Sequence, residues 1–422
     1  MFSLPRARRG RALLALRTAF FLLAGVNFAC GKGAAPGFPP SKLVRYAYVA
    51  NAKDNTISAY GIGVTGQLSP LSIPSYPTTG VYPVAMAAAE PTNYNGGLNG
   101  QPARQFLYVA NRQSNNLSAF EILQDGRLTP LNPPTVPTGN GPSALALNFY
   151  NNEGLFVTNS GDNTVSSYTI HSDGTLTLVK TYPTGKAPSA VLQAFTQDTP
   201  DRNTLYVANK GDNTISQFLI QNDGTLTPVV PATVPTVTQP IAFAFPTDGI
   251  NYDMRVTVLG SGGTGPGMLA SYAIKRDGGL LPAHTAIVAG IGSGGIGASG
   301  DTSPETGGST LAVPNTADNT VSLYFYRLTV GSASGQIVPA ATPKVTVGSM
   351  PSAAAFNSVS LGSALYVTNA GDNTISQFSV AKGGVVTPLG TTAVGTGQYP
   401  VAITAVDLHV PSGDATYHTI IH

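Results

Sequence analysis

A sixteen-residue stretch recurs along the chain, and its period limits the possible folds more than any other feature. Residues 365–380 read Leu-Tyr-Val-Thr-Asn-Ala-Gly-Asp-Asn-Thr-Ile-Ser-Gln-Phe-Ser-Val. Close copies begin at Leu155 and Leu205, and looser copies begin at Ala47, Leu107 and Leu311. The asparagine that closes the first strand of each copy recurs at Asn51, Asn111, Asn159, Asn209, Asn315 and Asn369. A degenerate seventh copy covers residues 254–259, with Gly260 in place of the asparagine.

The repeats follow one another at about fifty residues, a period typical of solenoids and propellers. Fifty residues hold four strands of five or six residues with their turns, which is one propeller blade. Only 10% of the residues are charged, while Gly (48) and Pro (33) are abundant. This composition favours short strands joined by tight turns over long helices.

Each strand of the repeat has its own signal. A Gly-x-x-Pro segment followed by alanine predicts the innermost strand, because strands near a central axis need small side chains. Asp-Asn and Asp-Gly pairs predict the two hairpin turns of each unit. Proline, which cannot donate to a strand ladder, marks the outermost strand as an edge. The prolines of this strand are Pro70, Pro130, Pro228, Pro282, Pro339 and Pro388, and the third unit has Leu178 instead.

The two ends of the chain complement each other. The repeats begin with a second-type strand over residues 42–50 and end with an innermost-type strand over residues 401–410. An open solenoid would not need complementary half-units at its ends. We therefore predict an all-β, seven-bladed β-propeller over residues 42–410. It has four antiparallel strands per blade, and the N- and C-terminal strands close the ring.

The N-terminal segment has the pattern of an export signal. Basic residues between Arg6 and Arg11 precede an apolar run over residues 19–26, which is too short for a confident membrane span. The run ends at Cys30, the only cysteine, and resembles a bacterial lipoprotein signal with Cys30 as the lipidation site. An ordinary cleaved signal and an uncleaved anchor are the alternatives. We predict a signal over 1–30, a Gly/Pro-rich tether over 31–41, a tail over 411–422, and an exported protein of the cell envelope held by a lipid anchor.

The repeat motifs resemble those of the β-propeller lactonase family. The residues that carry the resemblance are 223–228 (Asp-Gly-Thr-Leu-Thr-Pro), 137–144 and 183–190 (Pro-Thr-Gly-x-x-Pro-Ser-Ala), and the Asn-x-x-Asp-Asn-Thr turns. The resemblance covers about residues 42–410 and implies the propeller fold. It also implies lactone hydrolysis as one possible activity, of the 6-phosphogluconolactonase type. These motifs specify turns and edge strands, so they identify no catalytic residue in this chain.

Loops that enter the innermost strands should share one face with the Asp-Asn turns and surround the channel mouth. We expect residues one or two places before the prolines to lie near the axis and to form a ligand site. These residues are Tyr82, Asn140, Lys186, Gln239, Met350 and Tyr399. Lys186 is the one charged side chain among them. The predicted occupant is a small molecule, an envelope protein or a glycan.

Two further motifs suggest ligands but have simpler explanations. The Asp-Asn turns at Asp54, Asp162, Asp212, Asp318 and Asp372 could suggest calcium. Calcium takes six to eight oxygens, which separate blades cannot supply locally, so a structural turn is favoured. Residues 290–295 match Gly-x-Gly-x-x-Gly, but no helical pattern follows, so no dinucleotide site is predicted.

The leading functional prediction is a binding or interaction module that uses the channel-mouth face. A lactone hydrolase is the second reading, and a structural protein of the cell surface is the third. The net charge of +2 offers no electrostatic footprint for nucleic acid. We expect a monomer that needs no cofactor and no metal.

Overall fold

The computed structural model describes residues 41–89, 104–148, 154–195, 203–245, 255–261, 266–283, 286–292, 294–299, 309–327, 336–359, 362–381, 384–390 and 393–411. The predicted export signal, Cys30, residues 31–40 of the tether and residues 412–422 of the tail lie outside these ranges. Those assignments stay predictions. Within the described ranges, no helix is both long enough and apolar enough to cross a membrane.

Seven antiparallel sheets follow one another along the chain, which confirms the predicted propeller. The first blade joins the two chain ends, with β1 (Ser41–Asn51), β2 (Thr56–Ile62), β3 (Leu68–Pro77) and the final strand β30 (Pro400–Pro411). The second has β4 (Pro83–Ala89), β5 (Gln105–Asn111), β6 (Asn116–Ile122) and β7 (Leu128–Pro137). The third has β8 (Pro142–Leu147), β9 (Gly154–Asn159), β10 (Thr164–Ile170) and β11 (Leu176–Pro183). The fourth has β12 (Pro188–Phe195), β13 (Asn203–Asn209), β14 (Thr214–Ile220) and β15 (Leu226–Pro235).

The remaining three blades depart slightly from this pattern. The fifth has β16 (Pro240–Ala244), β17 (Arg255–Gly260), β18 (Pro266–Ile274), β19 (Leu280–Pro282) and β20 (Ile287–Ile291). The sixth has β21 (Gly297–Ala298), β22 (Thr310–Asn315), β23 (Thr320–Arg327) and β24 (Gln336–Thr346). The seventh has β25 (Pro351–Val359), β26 (Gly362–Asn369), β27 (Thr374–Ala381), β28 (Val385–Pro388) and β29 (Val394–Gly395). In the fifth and seventh blades the outermost strand is in two pieces, and both pieces pair with the third strand.

The ring closes where β30 pairs with β1. The antiparallel register runs from Ser41 opposite Pro411 to Asn51 opposite Pro400. β30 is thus the innermost strand of the first blade, as the complementary chain ends predict. Because β1 ends and β30 begins at the same end of this pair, we call that end the mouth face and the opposite end the far face.

The turn residues of the repeat adopt the conformations that their chemistry predicts. The turn asparagine is left-handed, with φ between 54° and 60°, in the five described Asp-Asn turns and in the Ser114-Asn115 turn of the second blade. Asparagine tolerates this conformation better than other residues with a side chain. The edge prolines each lie opposite an aromatic side chain, as Pro130 does opposite Phe120. The sequence signals therefore set both the turns and the register.

The hydrophobic core consists of the seams between neighbouring blades. The central strands are buried on both faces, and all seven residues of β5 are buried. At the seam between the first and second blades, Tyr46 and Tyr48 pack with Leu107 and Val109. A strand covered on both sides reads as a continuous apolar run, which is why the repeat shows no alternation here.

A tyrosine in the second strand of several blades binds the outer hairpin of the next blade. The hydroxyl of Tyr108 donates to the carbonyl of Gly174 at 2.7 Å. Three other bonds of this kind join Tyr48 to Gly126, Tyr206 to Gly278 and Tyr366 to Gly66. In the third blade phenylalanine occupies this position, and Ser167 donates to Gly224 instead, at 2.7 Å. The bonds all run in the same direction around the ring.

We expect Tyr108→Phe to lower the free energy of unfolding by about 1–2 kcal/mol, because it leaves a buried carbonyl without its donor. Chemical denaturation followed by circular dichroism would measure the change. Tyr82→Phe is the control, because the half-buried Tyr82 hydroxyl makes no hydrogen bond within the described residues. Equal stability of Tyr108→Phe and wild type would contradict this account of the seam.

Candidate functional site

The mouth face is built from two sets of loops that hydrogen bond to each other. One set contains the Asp-Asn turns, and the other contains the segments that enter the innermost strands. Within a blade the aspartate accepts a backbone N–H from the entering segment, as Asp212 does from Lys186 at 2.9 Å. Equivalent bonds link Asp54 to Gln398, Asp162 to Asn140 and Asp372 to Ser349. In the second blade Ser114 takes the place of the aspartate.

The asparagine of each turn reaches the next blade. Asn55 Oδ1 accepts the backbone N–H of Tyr82 at 2.7 Å. The same bond joins Asn115 to Gly141, Asn163 to Ala187, Asn213 to Gln239, Asn319 to Met350 and Asn373 to Tyr399. Only the step from the fifth to the sixth blade lacks such a bond among the described residues. The carboxylate and amide oxygens of these turns thus act as hydrogen-bond acceptors that hold the mouth loops together, as a structural turn predicts.

The glycine of the Gly-x-x-Pro segment is required by close packing. A Cβ atom on Gly185 would lie 2.6 Å from Cγ of Asn209, the buried asparagine that closes β13. In the fifth blade the small and the large residue have changed places: Val237 stands at the glycine position and Gly260 at the asparagine position. A Cβ atom on Gly260 would lie 2.7 Å from Cγ2 of Val237. Only one of these two positions can therefore carry a large side chain.

The Gly-x-Gly segment of the sixth blade forms the same entering loop as the Gly-x-x-Pro segments, although its sequence differs. A Cβ atom on Gly290 would overlap the Asn315 side chain, and Gly292 is left-handed with φ 68°. The backbone N–H of Thr316 donates to Gly292, as that of Lys210 does to Ala187 in the fourth blade. The residue at position 293 is serine and not proline, so the Gly-x-x-Pro pattern did not identify this loop.

Large side chains occupy left-handed positions around the mouth. Tyr82, Gln239, Met350 and Tyr399 each directly precede the proline and have φ between 51° and 62°. The equivalent position is Gly141 in the third blade, where φ is also 62°. A bulky residue with this backbone costs about 1–3 kcal/mol relative to an unstrained one, and such strain concentrates at functional sites.

The other two predicted candidates lie one position earlier. Asn140 and Lys186 stand two residues before the proline, and both are exposed. Their backbone N–H groups bind Asp162 and Asp212, and the Asn140 side-chain amide also donates to Asp162 at 2.7 Å. All six predicted residues therefore belong to the mouth loops, in two different positions of the loop.

Sequence reasoning overlooked three cations near the mouth. Lys53, Arg112 and Lys210 each follow, by one or two residues, the asparagine that closes the second strand, in the first, second and fourth blades, and each is exposed. Lys53 Nζ lies 4.4 Å from the centre of the Tyr399 ring, a cation–π contact. With Lys186 they form a set of four cations on the first, second and fourth blades. In the part of the chain that the structure describes, none of the four makes an ion pair.

The model of the family "Lactonase, 7-bladed beta-propeller" matches residues 38–195 and 125–250, which together cover half of the chain. The chain belongs to the seven-bladed β-propeller lactonase family. No curated protein matches its sequence.

Solved lactonase-like propellers share the fold. A candidate 6-phosphogluconolactonase from Bacteroides fragilis superposes with a TM-score of 0.64 at 17% identity, covering 89% of this chain and 100% of the other. The periplasmic gluconolactonase of Pseudomonas aeruginosa gives a TM-score of 0.63 at 17% identity, covering 86% of this chain and 99% of the other. At this identity the likeness establishes the fold of this lactonase-family propeller, and its function has to be argued from the site.

Proposed function

We propose that this lactonase-family propeller is a binding module whose mouth face holds a small, negatively charged, hydroxyl-rich molecule. The supporting observation is the retention of large side chains at left-handed positions where glycine would be less strained. Tyr82, Gln239, Met350 and Tyr399 all bear this strain. Tyrosine and glutamine offer a flat apolar surface and hydrogen-bonding groups, which suit a sugar-like ligand.

The four mouth cations supply the charge preference. Lys53, Arg112, Lys186 and Lys210 are exposed and make no ion pair among the described residues. Four mouth aspartates, in contrast, accept backbone N–H groups, and Asp318 forms an ion pair with Lys344. Their negative charge is thus partly satisfied within the mouth face. Carboxylate and phosphate groups are the anions that lysine and arginine bind in proteins.

Isothermal titration calorimetry tests the proposal with gluconate, glucuronate and glucose 6-phosphate as probes and glucose as the neutral control. We expect binding of at least one anionic probe and weaker binding of glucose. Lys186→Ala should weaken binding of the anionic probe roughly 10-fold, about 1.4 kcal/mol. This loss of affinity should be smaller in high salt. Lys180→Ala, which changes an exposed lysine on the outer strand β11, is the matched control. No binding of any anionic probe would reject the proposal.

The left-handed positions allow affinity to be separated from stability. We expect Tyr399→Gly to be as stable as wild type or more stable, by up to about 1 kcal/mol, because glycine adopts φ 60° without strain. The same change should lower affinity for the anionic probe, because it removes the ring that contacts Lys53. Thermal unfolding and calorimetry on one preparation give both values. A variant that is less stable and binds normally would count against a binding role for the ring.

Lactone hydrolysis is the second candidate, and family membership supports it. Hydrolysis needs a base or nucleophile with a donor for the developing oxyanion. The mouth carboxylates are engaged by backbone N–H groups, and this favours binding over hydrolysis. Acid release from glucono-δ-lactone in a pH-stat would decide between them. Turnover that is lost in Lys186→Ala would favour the hydrolase.

We also propose that the protein is exported and anchored through Cys30 in the cell envelope. The support is the sequence pattern of the first thirty residues, which lie outside the described ranges. Mass spectrometry of the mature N-terminus is the test. A diacylated Cys30 is expected, and a free thiol at Cys30 or cleavage at another position would reject the anchor.

A further inference from the structure

Asp407 is a buried carboxyl group that the mouth does not use. It lies in the far half of β30, at the seam between the first and seventh blades, and only 3% of its surface is exposed. Its neighbours Val406 and Leu408 are buried apolar residues. A carboxylate taken out of water at such a place needs hydrogen-bond donors or a positive charge close by.

The hydrogen-bond donors around Asp407 reach only one of its two carboxyl oxygens. Asn357 Nδ2, from β25 of the seventh blade, donates to Asp407 Oδ1 at 3.1 Å. Gln105 Nε2, from the second blade, donates to the backbone carbonyl of Asp407 at 2.5 Å. In the Asp407–Asn357 pair, one buried oxygen of each side chain has no hydrogen-bond partner within the described residues: Asp407 Oδ2 and Asn357 Oδ1. Both belong to the two side chains that already share one bond.

A carboxylic acid and a carboxamide can pair through two parallel hydrogen bonds. The amide N–H donates to the carbonyl oxygen of the acid, and the acid O–H donates to the carbonyl oxygen of the amide. The structure holds the first of these bonds, and the two oxygens that would form the second are both unpartnered. We propose that Asp407 is a proton-binding site, whose protonated carboxyl donates from Oδ2 to Asn357 Oδ1 and holds β30 against the seventh blade.

The other groups around the seam are consistent with a proton as the occupant. Arg45 of β1 is directly opposite Asp407 in the strand pair, yet no ion pair joins them. Tyr366 of β26 also faces the site, and burial raises the pKa of its hydroxyl, so it stays neutral. Asn357 and Gln105 are neutral amides. Calcium would need six to eight oxygens, far more than this pair of side chains offers.

The pH range over which the Asp407 site stabilises the fold follows from the upward shift of its pKa. Burial raises the pKa of Asp407 to about 7, while the hydrogen bond from Asn357 and the charge of Arg45 oppose the rise. The folded state therefore keeps a proton that the unfolded chain releases near pH 4. Stability from this site is fully present below about pH 4 and is lost as the pH rises through about 7.

Carboxyl carbon NMR of wild-type protein labelled with ¹³C-aspartate tests the proposal directly. We expect one buried aspartate to titrate with a midpoint between about pH 6 and 8, and its signal to be absent in Asp407→Asn. Arg45→Gln should move that midpoint upward, because it removes a positive charge that favours the ionised form. A midpoint below about pH 5 for Asp407 would overturn the proposal.

The stability of Asp407→Asn gives a second readout. Asparagine is nearly isosteric and can donate to Asn357 Oδ1 at every pH, as the protonated acid would. The ratio of the wild-type unfolding constant to that of Asp407→Asn should rise on the order of 10- to 100-fold between pH 5 and 8. Asp223→Asn, an exposed hairpin carboxylate with a lowered pKa, is the control and should show no such rise. A ratio for Asp407→Asn that stays constant over this range would refute the proton site.

Discussion

Deletion of residues 400–422 should leave a chain that does not unfold cooperatively. The deletion removes β30, which pairs with β1 along its whole length and carries the buried residues Val406 and Leu408. The first blade would lose its innermost strand, and the seams to both neighbouring blades would open. The expected loss exceeds about 5 kcal/mol, which is comparable to the entire stability of an ordinary domain. Thermal unfolding and proteolysis with trypsin would measure the effect.

The matched control is deletion of residues 412–422 alone, which keeps the whole of β30. We expect that shorter truncation to unfold as the full chain does. A synthetic peptide of residues 398–413, added to the longer truncation, should restore protection from trypsin because it can occupy the vacated position beside β1. A 1–399 chain that melts cooperatively at the temperature of wild type would show that the ring does not depend on its terminal strand.

The second large effect concerns the contact between glycine and asparagine at the mouth. Gly185→Val should cost roughly 3 kcal/mol, because the new Cβ would lie 2.6 Å from Asn209 Cγ. Asn209→Gly should cost roughly 2 kcal/mol, because Asn209 donates to Thr214 and Ser216 at 3.0 Å each. The fifth blade already holds the exchanged pair, Val237 with Gly260.

We therefore expect the double variant Gly185→Val with Asn209→Gly to be about 2 kcal/mol more stable than the sum of the single effects predicts. Urea denaturation of the four proteins in the cycle measures this coupling. Gly395→Ala is the control for an added side chain, since a Cβ atom there meets nothing within 4 Å. Strict additivity of the two changes would show that the exchange in the fifth blade is not compensatory.

The architecture was predictable because a repeat presents the same physical requirement many times. Most copies carry a turn asparagine, an edge proline and small inner-strand residues, so a signal that is weak in one copy becomes strong by recurrence. The degenerate copy at residues 254–259, which forms part of the fifth blade, was also placed correctly, with β17 ending at Gly260. The copy at Gly290 and Gly292 was missed, because the loop lacks the proline that marked the others.

The candidate functional residues were less predictable, because they are the positions where the copies differ. Lys53, Arg112 and Lys210 fall at variable positions of the turns, where a cation carries no structural signal. Asp407 was overlooked for the opposite reason, since it lies within an innermost strand that the pattern treats as apolar. A lone aspartate between Val406 and Leu408 was the available signal. Its meaning depends on Asn357, fifty residues away in the chain.

The register of the terminal strands also determines how the molecule can be attached to a support. Ser41 lies opposite Pro411, so the chain enters and leaves the propeller on the side remote from the loops of Tyr82 and Tyr399. A sensor chip linked at Ser41 or at Pro411 would therefore leave those loops open to solution. Protein immobilised at either of these two positions is therefore suitable for affinity measurements at the mouth face.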